Sequence, residues 1–272
     1  MNMYWVYDLP NWLFGALTIG VFVVVGVGGY FATRKWVQAL HHKDGVHNDV
    51  VGFYLGSLTV FYGVTLGLLM VGVWTNYSDA GEKVSREAAT LSALYHNVGH
   101  YPEPFSTELR KGLGIYCRDV IDVEWPQQRK GIIPMGNRLT LRRVEDQMVS
   151  FEPVTEGQKI LHAEAFRQLN QLREQRRMRL ESVNAGLSCA LWALVLIGAL
   201  INITVTWFFQ IRSTSIHIYM TALFSTLLGL MIFLLAAMDH PFRGEVSIGP
   251  DAFQLVYDQT ILVYDQTTQP AK

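Results

Sequence analysis

The sequence predicts an all-α integral membrane protein: four transmembrane helices in two hairpins, with an extramembrane helical bundle between helices 2 and 3. Three observations carry that expectation. Half of the 272 residues are hydrophobic and only 17% are charged, against roughly 25% in soluble domains. The missing charge is concentrated, because residues 12–33, 50–75, 185–209 and 216–238 contain no Asp, Glu, Lys or Arg. Each of these stretches exceeds the roughly 20 residues that a helix needs to cross a hydrocarbon core. The connections between them run short, long, short, which sets off two hairpins. With a net charge of −1 and two cysteines, the composition excludes a disulfide-built secreted scaffold and a nucleic-acid-binding protein.

The first hairpin covers residues 1–75. Tyr4, Trp5, Tyr7 and Trp12 precede or open its first helix, where a ring can be buried while its polar edge stays wet. The start lacks a basic n-region and the apolar stretch is too long for an h-region, which argues against a cleavable signal peptide. The loop at 34–49 is short and polar. Residues 76–184 hold 16 of the 22 basic and 15 of the 23 acidic residues. That balance reads as a folded, solvated domain and not as a polybasic lipid-binding tail.

Within this domain Val84, Ala88, Leu91, Tyr95 and Val98 recur at helical steps, so helix 2 runs on out of the membrane. Tyr101-Pro102-Glu103-Pro104 separates it from a second piece with Phe105, Leu109, Leu113, Tyr116, Val120 and Val123 on one face, since proline disfavours helix in the residue before it. Trp125-Pro126 and Gly131 are expected to end that piece. Leu141, Val144, Met148 and Phe151 mark a third. Leu161, Ala165, Leu169 and Leu172 mark a fourth, which feeds helix 3. The second hairpin is 185–238. The tail, 239–272, starts irregular at Pro241, Gly244, Gly249 and Pro250. Its run Leu255-Val256-Tyr257-Asp258-Gln259-Thr260 then recurs seven residues later, either as a local duplication or as a helix face.

Orientation signals oppose each other. Arg34, Lys35, Lys43 and Arg212 place the short loops in the cytoplasm. Arg173, Arg176, Arg177 and Arg179, just before helix 3, pull the large domain inward instead.

The spans carry no ionisable group away from their edges, where His217 sits. Proton-coupled carriers usually need such groups, whereas a channel constriction can be apolar. On helix 2, Gly52, Gly56, Gly63 and Gly67, with Thr59, Met70 and Trp74, share a stripe about 80° wide at 100° per residue. Small residues allow close helix approach in lipid, so a helix-packing face is the simplest reading. The opposite face carries Tyr54, Phe61, Thr65 and Leu68. In an oligomer these are pore-lining candidates with Phe61 and Leu68 as a constriction; otherwise they meet lipid or core. His41, His42 and His47 with Asp44 and Asp49 offer metal-binding chemistry, but their spacing matches no metal motif and no metal site is expected. Asn48 and Asp49 suit the N-cap of helix 2. Asp239-His240 reads as a capped terminus and Glu124-Trp125-Pro126 as a packed corner. With no P-loop, HExxH or GxSxG present, neither an enzyme nor a cofactor is indicated.

Taken in order, His47-Asn48-Asp49, Phe61-Tyr62, Arg86-Glu87-Ala88, Glu124-Trp125-Pro126, Asp239-His240-Pro241-Phe242-Arg243-Gly244, Pro250 and Phe253 resemble the bacterial bestrophin-like domain family of membrane proteins. The resemblance runs from about Trp12 to Phe253. It implies a plan similar to bestrophins, pentameric anion channels in which helix 2 lines the pore and helical segments extend it. Their acidic calcium clasp after the last span has no evident counterpart, since only Asp239, Glu245 and Asp251 lie near. The expected function is passive ion permeation by a homo-oligomer in the bacterial plasma membrane, with lipid and inorganic ions as partners. The alternative is a membrane-anchored scaffold or sensor whose helical domain binds a partner or ligand.

Overall fold

The computed structural model describes residues 4–40, 47–136 and 138–264, and every regular element among them is helical. A short 3₁₀ turn precedes α1 (Asn11–Leu40) and α2 (His47–Val98). α3 (Phe105–Asp119) passes through a π-helical turn, Val120–Glu124, into α4 (Trp125–Arg129). α5 (Arg138–Val149), α6 (Glu156–Glu181), α7 (Cys189–Thr206), α8 (Thr214–Asp239) and α9 (Asp251–Val256) follow, the last extended by a second π-helical turn, Tyr257–Leu262. Four helical stretches are long and apolar enough to cross a membrane: Asn11–Ala39, His47–Val98, Glu156–Thr206 and Thr214–Asp239.

Local sequence explains the helix starts. Thr155 accepts from the Gln158 N–H while Gln158 reaches back to the Thr155 backbone, a complete capping box at the head of α6. Ser188 and Ser213 cap α7 and α8 through the Leu191 and Ile216 amides. One expectation is corrected. Trp125-Pro126 does not stop the second piece, because the chain stays helical through the π-helical turn Val120–Glu124 and carries Pro126 as the second residue of α4. The helix ends beyond Arg129, at the other expected stop, Gly131, with φ +71°.

The chain forms two compact units. The membrane unit comprises Met1–Asn76, Gly186–His240 and Gly244–Val246. Here α1 packs chiefly along α8, the last span, and not along its sequence neighbour α2. Glycines make that approach possible. A Cβ at Gly229 would meet the Ile19 Cα at 2.9 Å, and one at Gly26 would strike the Ser225 hydroxyl. The Trp207 ring lies over Gly29 and its indole N–H donates to Gly26 O at 2.9 Å.

The second unit, the charge-rich one expected from the sequence to lie outside the membrane and called extramembrane for that reason, comprises Tyr77–Ala185, Pro241–Arg243 and Ser247–Lys272. Its core takes most of the apolar stripes read from the sequence, with Leu91, Leu109, Leu113, Tyr116, Met148, Leu169 and Leu172 fully buried, joined by Leu94. Val123 is the exception, 51% exposed because the π-helical turn it sits in shifts the helical register. The C-terminal segment belongs to this core, through buried Phe253 and Ile261. The duplicated run becomes a repeated clasp: Tyr257 lies under the Arg118 guanidinium and Tyr264 under that of Arg110, 3.7 Å from its ring centre.

Candidate functional site

Helix α2 has three distinct faces in its membrane stretch. Val51, Leu66 and Val73 are buried within the chain. Along the same side, polar side chains fix α2 to α7 and the turn that follows it. Tyr62 lies against Gly198, where a Cβ would approach its ring to 2.6 Å, and its hydroxyl donates to Val195 O at 3.0 Å. Thr59 donates to the Asn202 amide oxygen at 3.0 Å, while Asn202 donates to Gly198 O at 2.9 Å. His47 donates to Phe208 O at 2.9 Å. Asn48 grips Gln210 both ways, donating to its carbonyl at 2.8 Å and accepting from its amide at 2.9 Å. Asn48 is therefore a clamp on the connection between α7 and α8 and not the expected N-cap. Its side chain has a partner distant in sequence that supplies both a donor and an acceptor. Asp49 is exposed in the first turn of α2. His41, His42 and Asp44 lie outside the described residues.

The two stripes flagged in the sequence flank this packed face, each about 90–100° around the helix at 100° per residue. A Cβ added at Gly52 would come to 3.9 Å from the Phe209 ring. At Gly56, Gly63 and Gly67 an added Cβ would meet no atom within 4 Å, so their own chain leaves that side open. On the other flank Tyr54, Phe61 and Leu68 are 61%, 76% and 70% exposed. Thr65, half-buried, spends its hydroxyl on Phe61 O at 2.9 Å.

A second group gathers in the extramembrane unit. Glu87 on α2, Tyr116 on α3, Glu124 at the π-helical turn and Arg179 on α6 are buried together. Arg179 binds Glu87 through Nε at 2.6 Å and Nη2 at 3.1 Å, and Glu124 through Nη2 at 2.8 Å. Tyr116 donates to Glu87 at 2.6 Å, and Arg176 donates to the other Glu124 oxygen at 2.6 Å. Trp125 and Phe253 lie against the Arg179 guanidinium, 5.5 and 5.7 Å from its centre, and Phe242 meets Trp125 edge-on at 5.7 Å. Two guanidiniums and two carboxylates thus cancel inside one core. Burial opposes the Arg179 charge, but Glu87, Tyr116 and Glu124 outweigh it and hold the guanidinium firmly protonated. Burial, reinforced by Glu87, pushes the Tyr116 phenol well above its ordinary value.

This cluster collects motif residues scattered over 167 positions of the chain, from Glu87 to Phe253. It gives Glu124-Trp125-Pro126 a larger role than a corner, since Glu124 ties two arginines. Arg176, Arg179 and Tyr116 were not read as members of any site. A signal existed: both arginines continue the apolar stripe of Leu169 and Leu172 at steps of 4 and 3, places where a solvated arginine would not stand. In the membrane unit, Asp239 accepts from the Leu187 amide at 2.6 Å and the Trp192 indole at 3.0 Å. It anchors the entry to α7, with Pro241 starting the departure from α8.

The bestrophin-like domain model matches residues 20–253. The chain belongs to the bestrophin-like family. Solved structures agree with that placement. A variant of a bacterial bestrophin homologue from Klebsiella pneumoniae matches this bestrophin-like chain with a TM-score of 0.67 at 11% identity, covering 94% of this chain and 99% of that one. Another variant of the Klebsiella pneumoniae homologue gives 0.66 at 12% identity, over 94% and 99%. A structure described only as a membrane protein gives 0.67 at 10% identity, over 96% and 100%. No protein of curated function matches the sequence. The bestrophin-like fold is therefore shared over nearly the whole chain, although about nine residues in ten differ.

Proposed function

We propose that this chain is one subunit of a homo-oligomeric channel of the bacterial plasma membrane, a pentamer in the manner of bestrophins. It passes anions passively along an axial pore lined by α2. The observation that carries this reading is the exposed flank of α2. Phe61 and Leu68 stand 76% and 70% exposed within the chain, two turns apart on the helix that the family resemblance assigns to the pore. Charge-free spans support passive flow over proton-driven transport. The open stripe of Gly56, Gly63 and Gly67 supports close contact with a neighbouring subunit, since glycine lets backbones approach in lipid.

The test is conductance in a planar bilayer. Phe61→Ala removes a ring from the narrowest apolar ring of the pathway and raises single-channel conductance. Unchanged conductance rules out Phe61 as the constriction. A particle-averaged structure with α2 facing lipid in every subunit, or with no axial cavity, overturns the channel reading itself.

A further inference from the structure

We propose that the cleft between α5 and α6 is a binding site for a small oxyanion, a phosphate or carboxylate group held by Arg142 and Arg176. The cleft has a volume of about 730 Å³, within the usual range for small-molecule sites of about 300–1,000 Å³. Four arginines and three carboxylates line it, alongside the apolar side chains of Ile133, Leu141 and Leu180. By formal count the lining carries one net positive charge, Glu124 of the core offsets Arg176 from behind, and two of the three lining acids, all but Asp146, are engaged by arginines. Glu145 takes Arg173 in a bidentate pair at 2.7 and 2.5 Å. Glu181 faces Arg177 at 3.5 Å.

The arginines are not all satisfied in the same way. Arg176 is only 6% exposed, and it spends Nη2 on Glu124 while its buried Nε has no partner. A buried charged donor left unpaired is costly, and the usual remedy is a ligand or an ordered water. Arg142 stands exposed on α5 and enters no ion pair among the described residues. The planar fork of a guanidinium matches the two oxygens of a carboxylate or phosphate. The apolar patch beside it leaves room for the carbon skeleton of an organic anion. Arg176 is shared, because the side chain that would meet the ligand also holds Glu124, and Glu124 shares Arg179 with Glu87 of α2.

The experiment is isothermal titration of the full chain in detergent, with inorganic phosphate in one arm and succinate in the other. Sodium chloride at matched ionic strength is the reference. Saturable binding is expected in at least one arm at millimolar or lower concentration. Binding in one arm alone assigns the source, and binding in both assigns the shared oxyanion chemistry. Arg142→Ala, at an exposed position outside the buried network, weakens binding by roughly tenfold or more, the scale of one charged hydrogen bond. Arg176→Lys keeps a charge against Glu124 but removes Nε, and it weakens binding similarly where it folds. No saturable heat beyond chloride in either arm overturns the proposal, and so does binding that Arg142→Ala leaves unchanged. Neither arm involves ion flow, so this outcome is separable from that of the channel reading.

Discussion

The two units solve the same problem, holding helices together, with opposite chemistry. The extramembrane unit buries two carboxylates and two guanidiniums in its core. The membrane unit keeps charge out of its spans and joins α2 to α7 through neutral amides and hydroxyls. The difference follows from what each helix can exchange its contacts for. In water, burying apolar stripes drives assembly, and a paired ion network can ride inside a core that is already favourable. In lipid, the tails are as apolar as the side chains, so close backbone approach and a few hydrogen bonds must do the joining. A charge there would be expensive as well as unmatched.

The largest effect should come from breaking the ion network. Arg179→Met takes from buried Glu87 the guanidinium that grips both its oxygens and leaves Glu124 with Arg176. Removing one member of a buried pair typically costs about 3–5 kcal/mol. Denaturant unfolding of the purified chain, followed by far-ultraviolet circular dichroism, should show a loss of that size. Replacing Glu87, Glu124, Arg176 and Arg179 together with apolar residues should restore most of it, because whole-network replacement is often neutral. A restored chain that conducts normally would show the network to be structural only. One that folds but fails to conduct would tie the network to function.

How much of this was legible beforehand differs between the units as well. The spans, the run of helix 2 beyond the membrane and the core stripes of the extramembrane helices follow from charge counting and the 3.6-residue period. The ion network does not, because Arg176 and Arg179 were weighed as surface charge for orientation and not as members of the apolar stripe that they continue. Glu87 and Glu124 were visible only as letters in separate motifs. Which helix faces pair was also hidden. Gly26 and Gly229 sit in spans with glycines elsewhere, and only the fold shows that these two let α1 and α8 close. The stripe of Gly56, Gly63 and Gly67 carried the clearer sequence signal, yet its own chain leaves it open.

That contrast between glycines gives the next effect in size. At Gly229 an added side chain meets the backbone of Ile19, 2.9 Å from the Cα. Backbone cannot rotate aside, so Gly229→Val should cost about 1–3 kcal/mol, the range for overpacking a tight contact, and lower the melting temperature of the detergent-solubilised chain. A Cβ added at Gly63 meets nothing within 4 Å, so Gly63→Val should leave the fold of the single chain intact. If the open stripe seats a neighbouring subunit, the same substitution should shift the particle from oligomer to smaller species in size-exclusion chromatography with light scattering. An unshifted oligomer would place subunit contacts elsewhere on α2.

The smallest effect belongs to the polar link inside the membrane unit. Asn202 accepts from Thr59 and donates to Gly198 O, so Asn202→Leu removes both bonds. The loss should nonetheless be only about 0.6 kcal/mol, the average for such bonds in lipid. The reason lies in the neighbouring hydroxyls. Thr18, Thr33, Ser57, Thr65 and Thr75 each donate to the carbonyl four residues before them. The freed Thr59 hydroxyl has the same option, and no unsatisfied group need remain in the hydrocarbon. Unfolding of Asn202→Leu in mixed lipid–detergent micelles should therefore be nearly indistinguishable from that of the parent chain. A loss above about 3 kcal/mol would exceed what a neutral bond supplies in lipid. It would mean that the contact between α2 and α7 depends on this one amide, and the division between charged and neutral joining would then need a different physical basis.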